Sequence, residues 1–205
     1  MVIGSTAVLC AAPPAAGAAA KEPAAVLGRP TDRSVALSVS SPVALEAFAE
    51  LVPAGGGSPK PGARVRVRPG VPEVLQLRGL RADAGYTYRL RYRRAGERTF
   101  RRGAPRAFRT ARAAGRTFRF TVQGDSHLGA DARSSGSQLY ARTLGNVARD
   151  RPDFHLLLGD DFVIDDLASQ GKATPSAVDA VYARQRAAVA TVGRSSPLFL
   201  VNGNH

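Results

Sequence analysis

The chain holds a single cysteine, Cys10, among its 205 residues, which excludes an internal disulfide framework and a thiolate zinc site. Stability has to come from packing, or from a metal held by other donors. No apolar run approaches the roughly 20 residues of a membrane-spanning helix, so no transmembrane segment is expected. Acidic residues are scarce: 16 Asp and Glu stand against 29 Lys and Arg, a formal charge of +13. Clustered cations attract phosphate chains. Here, though, arginine is spread through the whole chain beside abundant Ala, Gly and Pro, which reads as a compositional bias and argues against nucleic-acid binding. Positive charge is also missing from the opening. Residues 1–20 are small and apolar, with small-residue cleavage sites at Ala16-Gly17-Ala18 and Ala18-Ala19-Ala20, but they lack the usual Lys or Arg. Residues 1–30 are read as a leader or signal-type segment without periodicity, and the protein as secreted or periplasmic.

Hydrophobic residues make up 44% of the chain, enough to build a core in one large or two modest domains. Residues 31–112 read as an all-β sandwich. In Ser34-Val35-Ala36-Leu37-Ser38-Val39-Ser40 the apolar positions recur every second residue, as they do in Arg64-Val65-Arg66-Val67-Arg68 and from Tyr86 to Arg93. Such strands bury one face, and the alternating arginines then occupy the water-facing side of an antiparallel sheet. Residues 53–62 are a Gly- and Pro-rich loop, and Ala95-Gly96-Glu97 is a hairpin turn. Leu77-Arg78-Gly79-Leu80, followed by Tyr86, resembles the tyrosine corner of fibronectin type III sandwiches, in which the Tyr hydroxyl bonds back to upstream backbone.

After a short linker at 111–116 the periodicity changes. Residues 117–123 alternate as a strand, and 137–150 place Leu139, Tyr140, Leu144 and Val147 at helical spacing. Pro152 stops that helix. Phe154-His155-Leu156-Leu157-Leu158 reads as a parallel strand covered on both faces. A second helix from Pro175-Ser176 presents Val178, Val181, Tyr182, Gln185 and Val189, and Pro197-Leu198-Phe199-Leu200-Val201 is a third strand. A β-α-β-α-β order with right-handed crossovers brings the carboxyl ends of all three strands to one edge, where ligands of open α/β sheets sit.

Each of those ends carries ligand-type residues behind a glycine: Gly124-Asp125-Ser126-His127, Gly159-Asp160 and Gly203-Asn204-His205. Glycine lets the backbone turn sharply toward an ion. Carboxylate and imidazole donors without thiolate suit Mn, Fe, Zn or Mg, and a carboxylate can bridge two ions. Two such ions can polarise a phosphoryl group and lower the pKa of water.

In these three motifs, in this order, the chain resembles the calcineurin-like metallophosphoesterases, the superfamily that includes the purple acid phosphatases. The upstream sandwich is similar to the fibronectin-like amino-terminal domain of the latter. The resemblance implies an incomplete α/β metallophosphoesterase domain over residues 117–205, with two Fe, Mn or Zn ions and a phosphate ester as substrate. Asp125 and His127 would then bind the first metal, Asp160 would bridge and Asn204 would bind the second. His205 would contact the substrate phosphate and assist the leaving oxygen.

Two features depart from that pattern. Val163 stands where purple acid phosphatases have a Tyr, so no tyrosinate colour is expected. The superfamily also draws further His ligands from beyond Gly-Asn-His, and without them the second ion has only Asp160 and Asn204. The 205 residues are therefore expected to form a poorly active amino-terminal piece of a phosphoesterase. His155, inside an apolar run, reads as a core histidine, and Asp161 as a residue behind the ligands or facing solvent. The alternative reading is a basic β-sandwich adhesion module with a degenerate α/β half.

Overall fold

The computed structural model describes residues 21–129 and 135–204. Residues 1–20, with the signal-type sequence, and His205 lie outside them. Nine strands occupy the first part: β1 (Ala24–Gly28), β2 (Ser34–Ser40), β3 (Leu45–Pro53), β4 (Lys60–Pro61), β5 (Val65–Val67), β6 (Glu73–Arg78), β7 (Gly85–Arg94), β8 (Arg101–Arg102) and β9 (Arg106–Arg109). The alternation behind β2 and β7 gives one-sided burial. Val35, Leu37 and Val39 face Tyr86, Tyr88, Leu90 and Tyr92 across the core. Arg91 and Arg93, on the outer side of β7, pair with Glu50 and Glu46 of β3 at 2.8 and 2.6 Å.

The two layers are β1-β2-β6 and β4-β3-β7-β8, with β5 added to β3 and β9 to β7, an antiparallel fibronectin-like sandwich. Its expected corner is present: the Arg81 N–H donates to the Tyr86 hydroxyl at 2.9 Å, beside buried Leu80. The turn at 95–97 is closed by the Glu97 N–H on the Arg94 carbonyl.

Two strands depart from the sequence reading. Leu45-Glu46-Ala47-Phe48-Ala49-Glu50-Leu51 is rich in helix formers and its alternation is broken by Phe48, yet β3 pairs antiparallel with β7 from Leu45↔Arg94 to Pro53↔Tyr86. Ladder pairing and burial of Ala47 and Ala49 outweigh a helix preference of a few tenths of a kcal/mol per residue, roughly. Within the stretch read as leader, residues 24–28 form β1. This strand shows no alternation because both its sides are used: Ala25 and Leu27 enter the sandwich core, and Val26 enters a second core.

That second core belongs to β10 (Phe120–Gln123), α1 (Ser135–Asp150), β11 (Phe154–Leu157), α2 (Asp165–Ser169), α3 (Pro175–Gly193) and β12 (Leu198–Leu200). Thr174 caps α3 by accepting from the Ala177 N–H, with Pro175 opening the first turn. β10, β11 and β12 pair in parallel, and β12 continues in parallel onto β1 at Gly28↔Leu198. One six-stranded sheet, β10-β11-β12-β1-β2-β6, thus runs through both halves.

Side chains reinforce the junction. The Tyr88 hydroxyl donates to the Arg194 carbonyl at 2.9 Å. Arg186 of α3 donates through Nε to Ser40 Oγ at 2.7 Å and through Nη2 to the Ser38 carbonyl at 2.9 Å. In the linker, Arg112 Nε lies 2.8 Å from Asp153 Oδ1. A ridge between the halves encloses a cleft of about 560 Å³ lined by Tyr86, Arg109, Arg112, Arg151 and Ser196 among others.

Coverage of β11 differs from expectation. Leu157 and His155 are fully buried under the helices, with Leu144, Val189 and Leu198 around Leu157. On the opposite face Leu158 is exposed, and Phe154 and Leu156 are only half-buried. The run is continuous in sequence because both its faces are apolar, but the described residues cover only one.

Candidate metal centre

Past the ends of β10 and β11 the two chains stay side by side. Leu158 N–H donates to the Gln123 carbonyl at 2.8 Å, Asp125 N–H to Gly159 at 3.3 Å, and His127 N–H to Asp160 at 2.9 Å. A parallel bridge joins Leu128 to Phe162. The two ligand-type motifs are therefore laced together rather than free loops. Ser126 adds a bond from its hydroxyl to the Asp161 carbonyl at 2.8 Å.

Asp125, His127 and Asp160 each adopt left-handed φ, at 50°, 45° and 49°. A non-glycine residue there costs about 1–2 kcal/mol, and such outliers cluster at functional sites. The conformation turns the three side chains toward one point. One donor atom from each lies within 4.8 Å of the others. His127 Nε2 is 3.6 Å from Asp125 Oδ1 and 4.0 Å from Asp160 Oδ2. Asp125 and His127 open to solvent, whereas the Asp160 side chain is only 11% exposed.

The end of β12 closes the third side. Asn204 N–H donates to Asp160 Oδ1 at 2.9 Å. Gly159, at φ 104°, lies so close to Gly203 that a Cβ would meet the Gly203 nitrogen at 2.7 Å, and a Cβ on Gly203 would run into the Asp160 carboxylate. Both glycines are needed for this approach. The structure thus brings together Asp125, His127 and Asp160 and seats the Asn204 backbone on the last of these.

Asp161 is buried rather than solvent-facing. Burial pushes its carboxyl up to about 6, with the negative charges of Asp160 and Asp125 adding to the effect. Its depth was not legible in the sequence, since it follows from the bridge at Phe162. His155 is a core histidine, as expected: its Nδ1 lies 2.8 Å from Thr121 Oγ1, on the helix side of the sheet, and burial lowers its pKa. Val163 continues the backbone ladder by donating to the Leu128 carbonyl at 3.3 Å.

Two carboxylates and one imidazole suit one borderline-hard divalent ion such as Mn, Fe or Zn. Asp160 has one oxygen on Asn204 N–H and the other near His127.

In the solved structures, PhoD is similar over 89% of this chain at TM-score 0.60 and 14% identity. The likeness is one of fold. The chain spans 38% of the length of that PhoD structure. The fibronectin type III domain of human collagen XX matches 49% of the chain at 23% identity and TM-score 0.36. That of human fibronectin type III domain containing protein 3 matches 50% at 15% identity and TM-score 0.38. No protein-family model and no curated protein matches the chain.

Proposed function

We propose that the chain carries the strand-end metal site of a calcineurin-like, metal-dependent phosphoesterase. The convergence of Asp125, His127 and Asp160 at the carboxyl edge of a parallel sheet supports this reading. When bound, metal ions at such a site polarise a phosphoryl oxygen and lower the pKa of water.

The chain's own residues divide the remaining work. Asp125 and His127 would hold the first ion, and Asp160 and Asn204 would hold the second. Asp160 is oriented by Asn204 N–H and by its own left-handed backbone, which fixes the carboxylate before any ligand arrives. His205 would contact the substrate phosphate and assist the leaving oxygen. With so sparse a donor set for the second ion, the 205 residues alone are poor catalysts, and the chain acts outside the cytoplasm. Metal content by mass spectrometry of the protein and its Asp160→Asn variant, beside hydrolysis of p-nitrophenyl phosphate, tests this. Metal retained in the variant, or activity indifferent to chelation, would refute it.

One observation favours a second reading, adhesion of the sandwich to an anionic polymer. The outer face of the β5-β3-β7-β8 sheet carries Arg66, Arg89, Arg91, Arg93 and Arg102 against Glu46 and Glu50, by the register of the strands. Polyphosphate binding that weakens steeply with salt, in protein devoid of metal, would favour it.

A further inference from the structure

The cleft of about 560 Å³ between the two halves lies at the edge of the parallel sheet opposite the metal centre: Pro152 and Asp153 on its wall precede β11, whereas Asp160 follows that strand. Pockets of this volume at the junction of two domains take small organic ligands. The lining is part apolar, from Tyr86, Phe108 and Val192, and part cationic, from Arg109, Arg112 and Arg151. Arg109, Arg112 and Arg116 crowd onto one carboxylate, Asp83, at 3.0, 3.3 and 3.5 Å, and Arg112 also holds Asp153 at 2.8 Å. Arg151 forms no ion pair among the described residues. Four guanidinium groups thus meet two carboxylates, which leaves two positive charges in surplus. The carbonyls at the ends of α1 and α3 do not claim that surplus, because Asp150 already accepts from Arg119 Nη1 at 2.8 Å and Arg194 from the Tyr88 hydroxyl at 2.9 Å. Arg151 itself follows α1 directly and adopts φ 49°. Glycine or asparagine usually ends a helix in that conformation, and a longer side chain there is strained. Strain of this kind gathers at ligand sites, and here it accompanies a guanidinium on the cleft wall.

We propose that this cleft is a binding site for a small organic phosphate, a monoester dianion attached to a ring or other apolar body. The dianion matches the two surplus charges, and guanidinium forks match its oxygens in bidentate pairs. The apolar part of the lining, with Tyr86 and Phe108 stacked at 5.7 Å behind it, suits the body of the ligand and would be left unused by a bare inorganic ion. The site is separate from the strand-end metal centre in place and in donors, so either can fail without the other.

The test is calorimetric titration of the 205-residue protein with phenyl phosphate, in buffer freed of metal so that the strand ends are not loaded. Saturable binding is expected, tighter than that of inorganic phosphate. Arg151→Gly should weaken it by at least about fivefold, the loss of one charge-assisted contact at a partly exposed site, while the denaturation midpoint holds or rises as the left-handed strain is relieved. Arg151→Asn, which also tolerates that conformation, should repeat the result and keeps the test intact should the glycine variant fold poorly. Arg66→Gln, on the outer face of the other sheet, and Asp160→Asn should leave the affinity unchanged. Absence of saturable binding would overturn the proposal, as would wild-type affinity in both Arg151 variants. So would an equal loss in Arg66→Gln, which would reduce the effect to overall charge, or a loss in Asp160→Asn, which would move the ligand to the strand ends. Inorganic phosphate bound as tightly as phenyl phosphate would also overturn it, since the apolar lining would then have no role.

Discussion

The Asn204 N–H donates to Asp160 Oδ1 at 2.9 Å, so the third strand end holds the carboxylate that the second one supplies. The bond exists because Gly159 and Gly203 approach without side chains. Sequence separation between the partners is large, and only the parallel order β11-β12 brings them together.

Gly159→Ala should break this arrangement. A Cβ at φ 104° is strained and meets Gly203, so a loss of about 1–3 kcal/mol is expected in urea denaturation. Displacement of Asp160 should also weaken Mn²⁺ or Zn²⁺ binding by about tenfold or more in calorimetry. Wild-type affinity in the variant would show that the close approach does not position the carboxylate.

Asp160→Asn should separate binding from folding. The amide oxygen can still accept from Asn204, so the melting temperature should stay near wild type. Metal affinity should fall by more than about tenfold, because the central charged donor is gone. A parallel loss of fold and affinity would instead make Asp160 a structural residue.

Tyr88→Phe addresses the junction of the halves. The hydroxyl is buried, and burial raises its pKa, so it stays a donor to the Arg194 carbonyl at ordinary pH. Leaving that carbonyl without its donor should cost about 1–2 kcal/mol, with metal binding unchanged. An unaltered denaturation midpoint would mean that water replaces the hydroxyl.

His155 should give the fold an acid sensitivity. Burial lowers its pKa in the folded state, so below the unfolded value of about 6.5 the unfolded chain binds more protons. Stability is then fully present above that pH and declines as pH falls, by at most about 1.4 kcal/mol per pH unit for one proton. Asp161, with its raised carboxyl, contributes with the opposite sign and cancels when wild type is compared with His155→Gln. The stability difference, wild type minus His155→Gln, should rise with pH between pH 5 and 7 in denaturation; a difference that does not change with pH would remove His155 from the account.

Where one side of an element is buried, the sequence shows it. The period of two in β2 and β7 records a one-sided sandwich strand, and Thr174-Pro175 records the start of α3. The motifs around Asp125, Asp160 and Asn204 were legible for a related reason: glycine followed by a short donor residue is a local requirement of a turn that presents a ligand. β1 and β3 were not legible. β1 serves two cores and so has no alternation, while β3 carries helix-forming residues and becomes a strand through its pairing with β7.

By itself, then, the sequence determined the inward positions of the sandwich, the tyrosine corner at Tyr86 and the donor types at three strand ends, since each depends on neighbours within a few residues. Only the tertiary structure decided that one sheet runs from β10 to β6, that Asp161 is buried, that three donors meet within 4.8 Å, and that no described residue covers the Phe120, Phe154 and Phe199 face. These depend on which distant strand comes to lie alongside, and an apolar residue reads the same in sequence whether or not anything covers it.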